Sequence, residues 1–418
     1  MEINANEIAS IVRSVLNGME NGGAAPAKDL PPVPATARVA MLTAPKHFEV
    51  KEFPIPEIGD DDILVKVEGA GICGTDVHEW RGDPFGYIPL VLGHEGTGEI
   101  VRLGKNVKTD TAGKPIKIGD KLVTSVISCG ECNICRLHPG ETELCDKQGV
   151  YGLIPDNEKN HLCGWFSTYM HITKGSTYFV VNDLTLDQRM LLELAAVTTH
   201  ALEQGKKTGR LNFNSKVLVQ GCGPVGLMMI ATLRTMGIDR IIAVDGNENR
   251  LNFARKLGAT DVVNFKELPE LAQRVQAVKD MTDGVGADFA YQCTGNTHAA
   301  SDVYKYIRRG GGLCEMGFFV NNGECTINPH FDLCNKEIML VGSWDYSAAE
   351  YPIAMAFLRR AKGMGIPLEE LITHRYPLDQ MNEACEMNEM CIRDRCNGFK
   401  RRIVLGGPDC ARGYGNPY

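Results

Sequence analysis

The chain has no uninterrupted apolar run long enough to cross a bilayer, which takes about twenty residues, so no membrane partner is expected. It also lacks a basic excess: 44 Lys and Arg stand against 52 Asp and Glu, for a formal net charge of -8. Sequence-independent binding to nucleic acid needs a basic face to replace phosphate counterions, so no nucleic-acid partner is expected either. Missing too is the charged-then-apolar opening of a secretory signal, since the chain begins Met1-Glu2-Ile3-Asn4. Without that signal, fifteen cysteines read as metal ligands before disulfides. A reducing, cytoplasmic setting is the expectation. What these absences leave is small-molecule chemistry on 418 residues, 44% of them hydrophobic, enough for two or three domains.

From Arg38 onward, short alternating apolar segments separated by Gly and Pro predict a mostly β domain. Within it lies the stretch Gly71 to Gly98, GICGTDVHEWRGDPFGYIPLVLGHEGTG. A thiol at Cys73 and an imidazole at His94 suit zinc, which accepts mixed sulfur and nitrogen ligands and keeps an open position when catalytic. Two ligands do not make a site, and a third must come from elsewhere. Cys129, Cys132 and Cys135 follow, two residues between each pair, with Cys145 nine residues beyond. Four thiolates close around one ion and leave no place for substrate, so this second cluster is expected to be structural.

The segment 187–204 reads as a helix with Glu193 among apolar neighbours. A βα pattern then begins. Lys216 to Gln220 forms a strand, Gly221-Cys222-Gly223-Pro224-Val225-Gly226 a turn, Leu227 to Met236 a helix, and Ile241 to Val244 a second strand ending in Asp245. The glycines permit a tight turn and close approach of a pyrophosphate, and a helix N-terminus favours its charge. Asp245 stands where a carboxylate accepts both ribose hydroxyls and repels a 2′-phosphate, which favours NAD over NADP. Arg250 is a candidate phosphate contact. Further helices are predicted over Glu267 to Met281, Thr297 to Ile307, Ala348 to Lys362 and Leu378 to Met387, with a last strand over Arg402 to Leu405.

Taken together, GICGTDVH, GHEGTGEI, the cysteine cluster and the GCGPVG turn with Asp245 resemble the zinc-containing medium-chain dehydrogenases, the family of alcohol, sorbitol and threonine dehydrogenases. The resemblance covers about residues 38 to 405. It implies an α/β fold: a GroES-like β-rich catalytic domain over 38–190 and 345–418, and a doubly wound parallel-sheet (Rossmann) NAD-binding domain over 191–344. It further implies two zinc ions per chain, NAD as cofactor, and a homodimer or homotetramer.

Carried over by position, Cys73 and His94 are similar to the catalytic zinc ligands, and Glu193 to the acidic third ligand of the sorbitol and threonine branches. Glu95 matches a glutamate that swings onto the metal or sits behind it, so Glu95 and Glu193 both stand as candidates. Thr75 resembles the hydroxyl that relays the alcohol proton, His78 the next relay member, and Asp76 an acceptor that orients His94. The structural cluster departs from the family in one respect: nine residues, where seven are usual, separate Cys135 from Cys145. Two extra residues add only a fraction of a kcal/mol to loop closure, roughly, by the logarithmic length law.

The expected activity is hydride transfer between NAD(H) and an alcohol or carbonyl, on a polyol, an amino alcohol or another substituted alcohol. Two alternatives stand beside it: an aldehyde reductase recycling NADH in a bacterial microcompartment, and a non-catalytic NAD-binding scaffold. Trp80, Arg81 and Asp83, just past the relay histidine, are candidate pocket residues, and Arg81 suits an anionic substrate.

Ahead of all this, Ile8, Ile11, Val12, Val15, Leu16 and Met19 line one face of a helix within residues 1–20, and a Gly, Ala and Pro-rich linker covers 21–37. Such a helix docks on its own body or a sister subunit. Alternatively, it resembles the targeting peptides that bind microcompartment shell or core proteins through residues 4–19. Deleting residues 1–30 tests the second reading, because a targeting peptide predicts altered localisation and lost partners, and an unchanged distribution would sink it.

Overall fold

The computed structural model describes residues 30–392 and 402–403. The expected helix over 4–19, most of the linker and the tail from 406 to 418 lie outside them. Chain contacts group Ala35–Tyr418 into one unit and Met1–Pro34 into another.

β1 (Thr36–Ala44) pairs antiparallel with β2 (His47–Pro54), and begins inside the segment expected to be linker. β3 (Ile63–Gly71), the short β4 (Leu90–Val91), β5 (Glu95–Leu103), β6 (Lys121–Thr124), β7 (Tyr169–Ile172) and β8 (Tyr178–Val180) follow. β4 joins the edge of β1. The others form an antiparallel sheet in which β3 carries β5 on one side and β7 on the other, with β6 and β8 beyond β5. The alternation seen in ILVKVEGAGIC becomes an inner face of Ile63, Val65 and Val67, packed on Ile100, Leu122 and Trp165.

The Leu186–Lys207 helix opens with a capping box, the Thr185 hydroxyl accepting from the Gln188 amide and the Gln188 side-chain oxygen accepting from the Thr185 amide. Arg189 on its first turn donates to Glu68 of β3 at 2.6 Å, and Lys121 of β6 bridges Glu68 and Glu99. Farther along, buried His200 meets Glu350 at 3.2 Å and Glu143 at 3.9 Å. The Glu143 contact ties the helix to the cysteine lobe, as the Arg189 contact ties it to the β-rich half.

Six parallel strands make the second half: β9 (Lys216–Gln220), β10 (Arg240–Asp245), β11 (Asp261–Asn264), β12 (Ala287–Gln292), β13 (Ile307–Glu315) and β14 (Met339–Gly342). Their order is β11-β10-β9-β12-β13-β14. The order reverses between β9 and β12, and the crevice at such a reversal is where an open α/β sheet binds ligands. Strands buried on both faces explain the unbroken apolar runs VLV and IIAV.

Several boundaries differ from the sequence expectation. The helix expected from Glu267 begins at Leu271, because Pro269 constrains the backbone before it and Glu270 supplies the cap. The Gly74–Gly82 helix was not foreseen: it is short, glycine-flanked and has no clear apolar stripe. The expected helix over Leu378 to Met387 runs instead as a 3₁₀ turn and then a helix to Ile392. β15 (Arg402–Ile403) pairs with β3, while Val404 and Leu405 lie outside the described residues.

Candidate active site and metal centres

β3 ends at Gly71, and two residues later Cys73 caps the Gly74–Gly82 helix. Opposite it, Gly93 turns the chain through φ 94° into His94 and the start of β5. Gly71 and Glu95 are cross-strand partners, and a Cβ at Gly71 would run into the Glu95 carboxylate. Glycine therefore makes room for that side chain. The ligand atoms of Cys73, His94 and Glu95 all lie within 4.8 Å of one another. Glu193 lines the same cleft but falls outside this cluster, with its charge felt by the buried phenols of Tyr346 and Tyr351.

Asp76 is fully buried. Its Oδ2 accepts from the Cys73 amide at 2.7 Å and its Oδ1 from the Gly93 amide at 3.3 Å. That same Oδ1 stands 3.3 Å from His94 Nδ1, a contact too misaligned to count as a hydrogen bond and hence electrostatic. Burial pushes the imidazole down, but the Asp76 carboxylate and the Cys73 thiol outweigh it and hold His94 well above its ordinary value. Asp76 does not line the cleft, so it acts through its neighbours rather than on a substrate.

Thr75 and His78 do face the cleft. Thr75 Oγ1 lies 3.7 Å from Cys73 Sγ, and His78 packs edge-on against Phe319. Burial, then the nearby Arg81 charge, lowers the His78 pKa. Of the three residues beyond it, Arg81 lines the cleft, Trp80 is buried in the core, and Asp83 ends the helix in a left-handed turn.

The four cysteines also converge. Cys129, Cys132, Cys135 and Cys145 place their sulfurs within 4.8 Å of one another, with Cys129–Cys135 at 3.9 Å and Cys132–Cys145 at 4.0 Å. A tetrahedron with Zn–S bonds near 2.3 Å has edges of about 3.8 Å, so the set fits zinc. Amides of Cys129, Cys132, Cys135 and Lys147 point at these sulfurs, and the Cys135 amide, followed by that of Asp146, pulls the Cys132 thiol down to about 6. Between Cys135 and Cys145 the chain passes through a turn at Pro139 and Gly140 and then the Thr142–Leu144 3₁₀ helix.

Across the cleft, Gly221 turns through φ 93° at the end of β9, and the Pro224–Thr235 helix starts at Gly223. A Cβ at Gly226 would collide with the Gly221 carbonyl, which keeps the helix close to the strand. Gly221, Gly223, Pro224 and Val225 line the cleft, as do Asp245 and Arg250, while Gly226 packs behind. Asp245 accepts from the amides of Cys222 and Asn247 at 2.7 and 2.8 Å, leaving each oxygen a lone pair for a ribose hydroxyl. These residues fit a dinucleotide. The whole cleft has a volume of about 1250 Å³.

A thiol, imidazole and carboxylate facing a dinucleotide cradle across one cleft define a metal-assisted dehydrogenase. Comparison with known proteins is specific. Residues 59–182 match the alcohol dehydrogenase GroES-like domain and residues 224–360 the zinc-binding dehydrogenase domain. Sorbitol dehydrogenase of Bacillus subtilis is 31% identical over 362 residues, covering 85% of this chain and 94% of that protein. L-threonine 3-dehydrogenase of Symbiobacterium thermophilum is 31% identical over 83% of this chain and 92% of its own. The crystal structure of an alcohol dehydrogenase from Thermotoga maritima superposes with a TM-score of 0.80 at 30% identity, over 88% of this chain and 99% of that one. The chain belongs to the zinc-dependent medium-chain dehydrogenase family. It is accordingly an NAD-linked zinc oxidoreductase acting on CH–OH groups, which removes the non-catalytic scaffold from consideration. Among the described residues no helix is long and apolar enough to cross a membrane.

Gln148, Asp345 and Tyr346 also line the cleft and escaped sequence reading. They come from loops after the cysteine cluster and after β14 and carry no motif; only the fold brings them to the site. For the cysteine lobe, Cys132→Ser should release one zinc per chain, measured by elemental analysis, and lower the melting temperature, with the second zinc retained.

Proposed function

We propose that Cys73, His94 and Glu95 hold the catalytic zinc, with Glu193 a further acid beside it, and that Cys129, Cys132, Cys135 and Cys145 hold the structural one. The observation that carries this is convergence: the trio and the dinucleotide cradle open onto a single cleft. In this reading, residues 38–190 with 345–418 form the catalytic domain and 191–344 the NAD-binding domain. The substrate is an alcohol with further polar groups, a polyol or amino alcohol, as the names of the sorbitol and threonine dehydrogenase relatives suggest.

When bound, zinc lowers the pKa of an alcohol and NAD accepts its hydride. The chain's own part is to position and to move a proton. Thr75, beside the Cys73 sulfur, takes the hydroxyl proton and passes it to His78. A depressed pKa keeps His78 neutral and able to accept it near pH 7. His78 then releases the proton at the mouth of the cleft. Asp76 keeps Cys73 and His94 in register through the two amides that it binds. Gly221 and Gly226 bring the cofactor turn close, and Asp245 selects the unphosphorylated ribose.

The proposed homodimer or homotetramer has a surface to form on. β14 ends the parallel sheet, and Met339 and Leu340 on it are about half exposed, with Phe331 nearby still more so. An open strand with apolar side chains pairs unless something covers it, and a second copy is a self-complementary cover.

Cys73→Ala or His94→Ala should lower kcat at least about a thousandfold while the Kd for NADH, read by fluorescence, moves less than about threefold. Full turnover by a zinc-free Cys73→Ala protein would refute the assignment. Leu340→Lys should shift the species seen by light scattering toward monomer, and an unchanged mass would rule out the β14 edge as the interface.

A further inference from the structure

The substrate end of the cleft carries a charge that neither the metal trio nor the dinucleotide cradle uses. Asp345 lies three residues past β14 and lines the cleft on left-handed backbone, φ 54°. Its carboxylate accepts a hydrogen bond from the Gln148 amide, and no Lys or Arg pairs with it among the described residues. Burial pushes the carboxyl up to about 6, against the pull of Gln148 and of the more distant His94 and His200. It is a carboxyl group that lines the cleft, within electrostatic reach of the His94 end of the site, and its hydrogen-bond partner is a neutral amide. A carboxylate so placed favours a cationic ligand.

The same cleft also carries the matching chemistry. Phe85, Tyr87, Phe319 and Trp344 line the same cleft and are 36% to 50% exposed. Aromatic faces attract ammonium groups through the ring quadrupole. The charge balance agrees. Arg81, which at first sight suits an anionic substrate, has its guanidinium 3.6 Å from Glu389, and Glu193 adds a second acid to the cleft. An anionic substrate near Asp345 would meet its carboxylate, with Arg81 already engaged by Glu389.

We propose that the substrate is an amino alcohol, its ammonium group read by Asp345 and the aromatic walls while its hydroxyl is presented to the Cys73, His94 and Glu95 end. This rests on the dehydrogenase reading of the site and names the substrate class within it. Asp345 is the specificity determinant; Gln148, which holds the carboxylate across 197 residues of chain, is a positioning residue. The reaction balances without the amine taking part: the carbinol C–H leaves as hydride to NAD⁺ and the O–H proton leaves through Thr75 and His78. The products are an amino ketone or amino aldehyde, NADH and one proton.

The test uses the full-length zinc-loaded enzyme and three probes that share a methyl carbinol: 1-amino-2-propanol, 1,2-propanediol and lactate. The neighbouring group is in turn ammonium, hydroxyl and carboxylate. The wild-type enzyme should show a kcat/KM at least about tenfold higher for the amine than for the diol, and lower still for lactate. Asp345→Asn keeps the shape and removes the charge. It should lower kcat/KM for the amine about a hundredfold, chiefly through KM, and leave the diol within about threefold. The NADH Kd and melting temperature, measured on the same variant, should match wild type. Preference for the diol or lactate in the wild type overturns the proposal but not the dehydrogenase reading. Equal loss on every probe in Asp345→Asn overturns it by making Asp345 merely structural. Failure on all three probes, extended to a wider panel of alcohols, overturns both.

Discussion

One buried carboxylate sets the geometry on which the active site depends. Asp76 is the third residue of a short helix, and its two oxygens take the amide of Cys73 at the helix start and the amide of Gly93 across the sheet. A thiol from one turn and an imidazole from another are thereby held at a common point. A fully buried carboxylate is costly unless its hydrogen bonds are met, so the chain is driven to close these two turns on it. The residual attraction to His94 orients the ring without occupying the cleft. Remote as it is from any substrate, Asp76 is what makes Cys73 and His94 one site.

The second half of the site follows from sheet topology. The reversal of strand order between β9 and β12 opens a crevice at the carboxyl ends of the strands, and the Gly221–Gly226 turn and Asp245 sit at its rim. The Leu186–Lys207 helix joins the two halves, tied to Glu68 through Arg189 and to the cysteine lobe through His200. The cysteine lobe is thus more than a separate staple. Its following loop delivers Gln148 to the cleft, where it holds Asp345.

Much of this was legible in the chain itself, for identifiable reasons. The four cysteines share a short loop, so spacing alone announces an ion. The GCGPVG turn works through backbone and therefore has to be written in glycine. Cys73 and His94 lie at the ends of a stretch dense in chemistry. Glu193 and Glu95 show the limit of such reading: both are plausible ligands by residue type, and the cross-strand pairing of Glu95 with Gly71 is what carries Glu95 into the cluster and leaves Glu193 on the wall. The Gly74–Gly82 helix went unread because its fold comes from caps and from Asp76, not from an apolar stripe.

Local rules of spacing and backbone permission were therefore enough to mark the α/β class, the four-cysteine set, the Cys73 and His94 pair, the dinucleotide turn and its terminal acid. Those features are encoded within a few residues of one another. Tertiary structure decided that Glu95 lies within 4.8 Å of the cysteine and histidine ligand atoms, that Trp80 is core while Arg81 faces the cleft, and that Asp345 and Gln148 meet beside the site. These depend on contacts between segments far apart in the chain, 197 residues for Gln148 and Asp345, where side-chain identity says what a group can do but only the packed fold says what it touches.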